Sequence, residues 1–333
     1  MTARSAQMQQ FQIGKEVTPG TAVATNKRLV GMSLQPKPSL EVSVNQPPGY
    51  LAPVAVALNA ESTEADYSGL ADYNALTYVL SSLLGAVTPT QPDATNAPLA
   101  YQWEWDLLGT TTITPQTYTM KYGDATSARQ FSYGLFNSLE LTINKLKDNE
   151  MSGTAIGRAL QLNQTLTPNP VDVPAIAIAG AHWSAYFAAT GAGLNSGTQF
   201  LDFYEGKLSL ADLFAPAFPI NRSQESFDTV IVSEDIKLDW EMTLGADAVA
   251  EAFLTNNARQ NAKTFIRLEA IGPTIQATQS YKLVIDFAAF ITDVDAYDSG
   301  DGVLILPITA RLAYDSTWGK VARIVLTNTV SAL

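Results

Sequence analysis

Ile236-Lys237-Leu238-Asp239-Trp240-Glu241-Met242-Thr243-Leu244 alternates apolar and polar residues without a break. Successive side chains of a β-strand point to opposite sides, so this segment has one dry face and one wet face. Tyr101-Gln102-Trp103-Glu104-Trp105-Asp106 and Leu139-Glu140-Leu141-Thr142-Ile143-Asn144 carry the same pattern. Further strands are expected over residues 264–271, 281–292, 303–314 and 322–329, which makes the chain mainly β. The tryptophans at 103, 105 and 240 sit on the apolar rows of these strands and are read as core rather than as base-stacking or sugar platforms.

Two helices interrupt the strands. Asp72 can cap a helix with Leu76, Val79, Leu80, Leu83 and Leu84 on one face and Gly85 at its end. Asp247 can cap a second helix that buries Val249, Ala252 and Phe253. Each helix follows a strand ending in Ala-Asp, at Ala71-Asp72 and Ala246-Asp247. After each come an aromatic-rich strand (101–106; 264–271), a second strand (116–122; 281–290) and a longer alternating one (136–145; 303–314). That order of elements predicts a duplicated β-sandwich or barrel domain with a flanking α-helix in each half. Thr167-Pro168-Asn169-Pro170-Val171-Asp172-Val173-Pro174 reads as a stiff extended linker between them. The expected domains are 1–172, which opens with an extended N-terminal arm, and 173–333. Residues 88–98, rich in Pro, Thr and Asn, read as an exposed insertion.

Composition narrows the function classes. Charged residues are 16% of the 333, against about 25% in an average globular protein, which suggests that much of the surface is covered by other subunits. The formal net charge of −12 argues against ordinary affinity for DNA, because Lys and Arg carry phosphate binding. With no cysteine there is neither a disulfide nor a thiolate ligand or nucleophile. The N-terminal residues lack the apolar core of a signal peptide, and no apolar run approaches the roughly 18 residues of a membrane span, so cytoplasmic synthesis without a membrane is expected.

Chemical motifs are sparse. The lone histidine, His182, is read as structural, and with no Cys beside it zinc is not expected. The densest carboxylate cluster is Asp293, Asp295, Asp298 and Asp301, a weak calcium candidate. It fails the EF-hand pattern at Tyr297, at Asp298 where glycine is needed, and at Leu304 where a glutamate belongs, so a hairpin loop is the simpler reading. Gly319-Lys320 is followed by Val321, and the glycines of 191–197 are misspaced for a dinucleotide fingerprint. No catalytic residue and no cofactor is expected.

One stretch remains: Ile13-Gly14-Lys15-Glu16-Val17-Thr18-Pro19-Gly20-Thr21-Ala22-Val23-Ala24-Thr25-Asn26, polar, with a turn at Pro19-Gly20. It resembles the opening of the major tail tube proteins of long-tailed, siphovirus-like bacteriophages, where a Gly-Lys-Glu-x-x-x-Gly-Thr-Ala-Val-Ala run precedes the first strand. The resemblance continues at Gln130-Phe131-Ser132-Tyr133-Gly134, Met151-Ser152-Gly153-Thr154, Leu268-Glu269-Ala270-Ile271-Gly272-Pro273 and Asp315-Ser316-Thr317-Trp318-Gly319-Lys320.

It implies a structural virion protein, assembled in the host cytoplasm, whose β-sandwich domains join into rings with one large inner barrel. The rings stack into the tube through which DNA reaches the host without specific binding. Gly14, Lys15, Glu16, Pro19, Gly20 and Thr21 would then contact neighbouring subunits. A chain about twice the length of a single tube domain implies three copies per pseudo-sixfold ring, or six if the second half is a decoration. The implied partners are further copies, a tape measure protein and tail terminator and tip proteins. Two rival readings stand beside this one: a β-sandwich adhesin that binds surface glycans, and a hydrolase using two carboxylates.

Overall fold

The computed structural model describes residues 6–220, 226–234, 236–300 and 302–333. The chain is mainly β. β1 (Gln10–Lys15) and β2 (Lys27–Leu29) lead into a long hairpin of β3 (Met32–Asn45) and β4 (Ala55–Leu70). Then follow α1 (Ala75–Leu84), β5 (Tyr101–Leu107), β6 (Tyr118–Gly123), β7 (Ala128–Phe136), β8 (Leu139–Asn144), β9 (Glu150–Gly157), β10 (Gln161–Gln164) and β11 (Val171–Val173). Here β1 lies between β2 and β6, and β6 pairs with β7, whose edge also takes β10. Beyond a bulge at Asn137–Ser138, where both N–H groups donate to Thr154 O, the chain continues as β8 and pairs with β9. In turn β9 pairs with β4.

The remaining elements are β12 (Trp183–Ala188), β13 (Thr198–Phe200), β14 (Phe203–Ala211), β15 (Phe214–Ala217), β16 (Thr229–Val232), β17 (Lys237–Gly245), α2 (Ala248–Phe253), β18 (Thr264–Gln276), β19 (Gln279–Val294), β20 (Asp298–Gly300), β21 (Val303–Leu312) and β22 (Ala322–Asn328). β12 lies between β13 and β18, and β18 pairs with β19, which also takes β22 along Lys282 to Phe287. From Ala289 to Val294 β19 pairs with β21, with a register shift between Ile291 and Asp293. β21 pairs with β17, and β17 with β14.

Two antiparallel pairings cross between the halves, β5 with β22 and β8 with β14, and the second joins them into a single sheet. Its strand order is β3, β4, β9, β8, β14, β17, β21 and then the outer end of β19 with β20. Among the described residues no sheet closes into a barrel. One side of the sheet is dry, because the alternation read from 236–244 places Trp240, Met242 and Leu244 in the core. Trp240 meets Phe287 edge-on at 5.8 Å, and Tyr67 meets Phe136 at 4.9 Å. Trp103 and Trp105 are also core residues, as the alternation indicates.

Four expectations change. The strand at 101–106, matched in sequence order with 264–271, instead pairs with β22 of the second half; β6 holds the place beside β7 that β18 holds beside β19. Helix α1 is not a surface helix with one apolar face: Ala75 through Leu83 are all buried. Its polar side finds partners on both halves, since Ser82 Oγ accepts from Phe136 N and Thr77 Oγ1 from the Asn328 amide. Asp72 does cap its first turn, accepting from Asn74 and Ala75 N–H at 2.8 and 2.6 Å. In α2, capped by Asp247, Phe253 is buried and Val249 half-buried, but Ala252 faces solvent. The proline-rich linker is laid along the first half, with β11 parallel to β2 and Arg28 forked onto Asp172 at 2.6 Å.

Candidate assembly interface and acidic sheet face

The stretch expected to be an extended arm is built into its own domain. Gly14 and Lys15 are in β1, and a Cβ at Gly14 would sit 2.4 Å from Ala24 O, so only glycine lets the following loop fold back over the strand. Glu16 is buried; its carboxylate accepts from Gly20 N at 2.8 Å, Thr119 Oγ1 at 3.0 Å and Tyr133 N at 3.0 Å. Pro19 is exposed and Gly20 takes a φ of +80°, closing the turn beside the Arg158 guanidinium. Lys15, Val17 and Thr21 point outward. Two of the resembling motifs thus meet in space: Tyr133, at a φ of +52° in the β6–β7 bulge, is fixed by Glu16. Gly153 approaches Ser138 O, where a Cβ would lie at 2.3 Å, and so permits the Asn137–Ser138 bulge.

The segment that does leave the body is the β3–β4 hairpin, with Pro47-Pro48-Gly49 at its tip. The neighbouring strand β9 covers β4 only from Thr63 to Leu70. The remaining two-stranded ribbon, about seven residues per strand, extends about 24 Å. On it Val42 stands opposite Leu58 and Val44 opposite Val56, and these four are 44–67% exposed. Tyr50 and Leu51 at the tip are also open to solvent. An isolated two-stranded ribbon is marginal in water and a bare apolar row is costly, so this geometry calls for a partner surface. The signal was present in sequence: alternating Leu40, Val42, Val44 and Val54, Val56, Leu58 around Pro47-Pro48-Gly49.

The wet side of the joined sheet is acidic. Its strands place carboxylates there, among them Glu64 and Asp66 of β4, Glu150 of β9, Glu140 of β8, Glu205 of β14, Asp239 and Glu241 of β17, and Asp293 and Asp295 at the outer end of the β19 segment. Among the described residues, four cations on its strands share the face, and each is already paired. Lys37 meets Glu64 at 3.5 Å, Lys207 meets Glu140 at 2.9 Å, Arg311 meets Asp239 at 3.0 Å and Lys237 meets Asp212 at 3.1 Å. The Lys207 ammonium is held above its ordinary pKa chiefly by its bond to Glu140, and the Arg311 guanidinium by its bond to Asp239. A shallow open depression of about 840 Å³ crosses the β8–β14 junction between Thr142, Lys207, Glu241 and Thr309.

His182 Nδ1 lies 3.2 Å from Ala179 N and 3.3 Å from the Tyr73 hydroxyl. Asp293 and Asp298 accept from the N–H of the residue that follows each, Asp295 is exposed, and Asp301 lies outside the described residues. No group of three potential metal ligands converges among the described residues. The Asp315–Lys320 motif is a tight turn in which Asp315 accepts from Trp318 N and pairs with Lys263 at 3.1 Å. The chain matches no protein-family model, and no curated protein matches it in sequence.

Proposed function

We propose that this chain is the major tube subunit of a long, non-contractile phage tail: a duplicated tube protein that closes into rings of three and stacks into a hollow conduit for DNA. The observation that carries this reading is the joined sheet. Each half contributes four strands in the same order, with the same neighbours and a bulge at the same point, Asn137–Ser138 in one and Ile291–Asp293 in the other. Such a unit has unlike edges, so copies add head to tail, and closure of the rotation gives a ring.

Size supports three copies. Three such sheets at about 4.8 Å per strand and an ordinary barrel tilt give a backbone diameter of about 40–50 Å, which leaves room for a duplex inside the side chains. Polarity supports the conduit. The dry side of the sheet is committed to the core, so the ring lumen would be lined by the acidic face. Paired cations on that face leave little to hold a phosphate, and like charge repels the passing duplex. The projecting hairpin, with its apolar row, suits contact between stacked rings. In this reading the tape measure and the terminator and tip proteins are the remaining partners, and the protein resides in the virion.

Electron microscopy of concentrated purified protein, alone and with tail-tip components, tests the proposal. Hollow tubes with threefold end views of pseudo-sixfold outline are expected. A particle that stays monomeric in both conditions and binds glycans saturably overturns it in favour of an adhesin.

A further inference from the structure

Resting on the tube reading, we propose that one copy meets the next in a single defined register, with Asp295 at the outer end of one sheet directly opposite Lys37 on β3 of its neighbour. The internal β8–β14 junction supplies the template. On the first half, β6 occupies one edge of β7, and beyond the bulge β14 takes over that same edge on β8. On the second half, β18 occupies the equivalent edge of β19 as far as Ala289, and beyond the bulge no strand among the described residues follows it. Residues 292, 293 and 295–299 are exposed accordingly. At the opposite end of the sheet β3 pairs, among the described residues, with β4 alone.

The register follows by counting from the two bulges. Phe136 stands opposite Ala155 as Ile291 stands opposite Ala310, so Glu140 corresponds to Asp295. Leu208 is two strands from Ala310 through Trp240, and Pro36 is two strands from Ala155 through Ala65, so Ser209 corresponds to Lys37. Because Glu140 lies opposite Ser209 within the chain, Asp295 falls opposite Lys37 between chains. On the dry side Val294 then meets Pro38 and Ala296 meets Pro36, as Leu139 meets Leu210 and Leu141 meets Leu208 inside.

The chemistry of the edge fits a selective partner. Pro36 and Pro38 remove two N–H donors from β3, and Arg129 donates to Pro36 O at 2.7 Å, so a stray strand gains little there. Choice of partner passes to side chains, and an ammonium opposite a carboxylate favours the correct neighbour. Since Pro36 has no N–H to give β4, its pair with Ala65 is a non-hydrogen-bonded one. Alternation makes Lys37 a non-hydrogen-bonded site toward the outer edge, where facing Cα atoms approach to about 4.5 Å. That spacing accepts a disulfide.

The native chain has no cysteine, so crosslinks report only introduced pairs. Lys37→Cys protein is mixed with Asp295→Cys protein, assembled, and oxidised; both sites are exposed, so folding is not at stake. Ser33→Cys mixed with Asp295→Cys serves as the register control, offset by about 13 Å along the strand. The expected result is a disulfide-linked band at twice the 35.8 kDa chain mass from the first mixture, at least tenfold stronger than from the second. Tubes in which the first mixture fails to crosslink, or the control crosslinks equally, overturn the register and leave the tube reading standing. Self-crosslinking of Lys37→Cys alone overturns it in favour of a twofold pair. If the wild-type chain forms no ring in any condition, the tube reading falls and the register with it.

Discussion

Glu16→Ala separates a residue that contacts other subunits from one that holds its own domain together. The carboxylate accepts three hydrogen bonds at 2.8–3.0 Å and is itself buried. Removing it leaves three donors in unequal positions. Gly20 N lies at a half-exposed turn and can turn to water. Thr119 Oγ1 still accepts from Val23 N and can rotate. Tyr133 N has no such recourse, because Tyr133 is 5% exposed and its left-handed backbone fixes the direction of the N–H. An orphaned buried donor costs about 1–3 kcal/mol, and the other two bonds add about 1 kcal/mol, giving a loss of about 2–4 kcal/mol. For a chain of this length that lowers the midpoint by about 2 °C per kcal/mol, or about 4–8 °C. The assay is thermal and urea unfolding of unassembled protein followed by tryptophan fluorescence. Lys15→Ala, exposed and next in sequence, serves as control and is expected within about 0.5 kcal/mol of wild type. Unchanged unfolding of Glu16→Ala together with lost polymerisation would refute the reasoning and return Glu16 to an intersubunit role.

Asp72 is pushed up to about 6 by burial, against the opposing pull of hydrogen bonds from Ala75, Ile176 and Asn74 N–H. A carboxyl with a raised native pKa binds more protons folded than unfolded between about pH 4 and pH 6, so its contribution falls as pH rises through that window, by about 3 kcal/mol in all. Asp72→Asn is expected to flatten that part of the urea-midpoint profile; an unchanged slope counts against the assignment. The double variant Val44→Asp/Val56→Asp should leave monomer unfolding within about 0.5 kcal/mol and abolish ring stacking, seen as single rings in sedimentation and microscopy. Gly157→Ala puts a methyl 2.2 Å from the Phe131 ring and is expected to cost about 1–3 kcal/mol in urea unfolding, unlike Gly302→Ala, where nothing crowds the site and only the positive φ resists. Calorimetric titration of calcium into the wild type should give no heat that Asp293→Asn/Asp295→Asn removes.

What the sequence showed and hid follows from what alternation measures. Strand β17 was readable because its wet face is polar and its dry face is Trp240, Met242 and Leu244. The outer hairpin has the same alternation with no core behind it, so the pattern signals a partner outside the chain rather than burial within it. Glu16 sits among Lys, Thr and Pro and reads as solvated; only the folded loop brings Thr119 and Tyr133, more than a hundred residues away, onto its carboxylate. Helix α1 was located correctly, but Thr77, Ser81 and Ser82 read as its wet face, and their burial depends on neighbours as distant as Asn328. Strand existence is local information. Which strand lies beside which is not, and the mismatch of residues 101–106 arose there.

The acidic face and the open edges constrain one another. Carboxylates in a row on neighbouring strands repel, and a lone subunit tolerates this only because water screens them and four cations are interleaved. Closing a ring would bring the Asp293–Asp295 end against β3, and a neighbour lacking a cation at that edge would set carboxylate against carboxylate. Lys37 is the one cation that β3 carries, and it already touches Glu64. Sharing it with Asp295 across the junction gives the open seam a bridging cation, as the internal seam has Lys207, two residues along its strand from Ser209, between Glu140 and Glu241. An acidic surface can therefore also be a surface that recognises its neighbour, provided its few cations sit at the seams. Lys207 occupies the internal seam, and Lys37 stands at the open one.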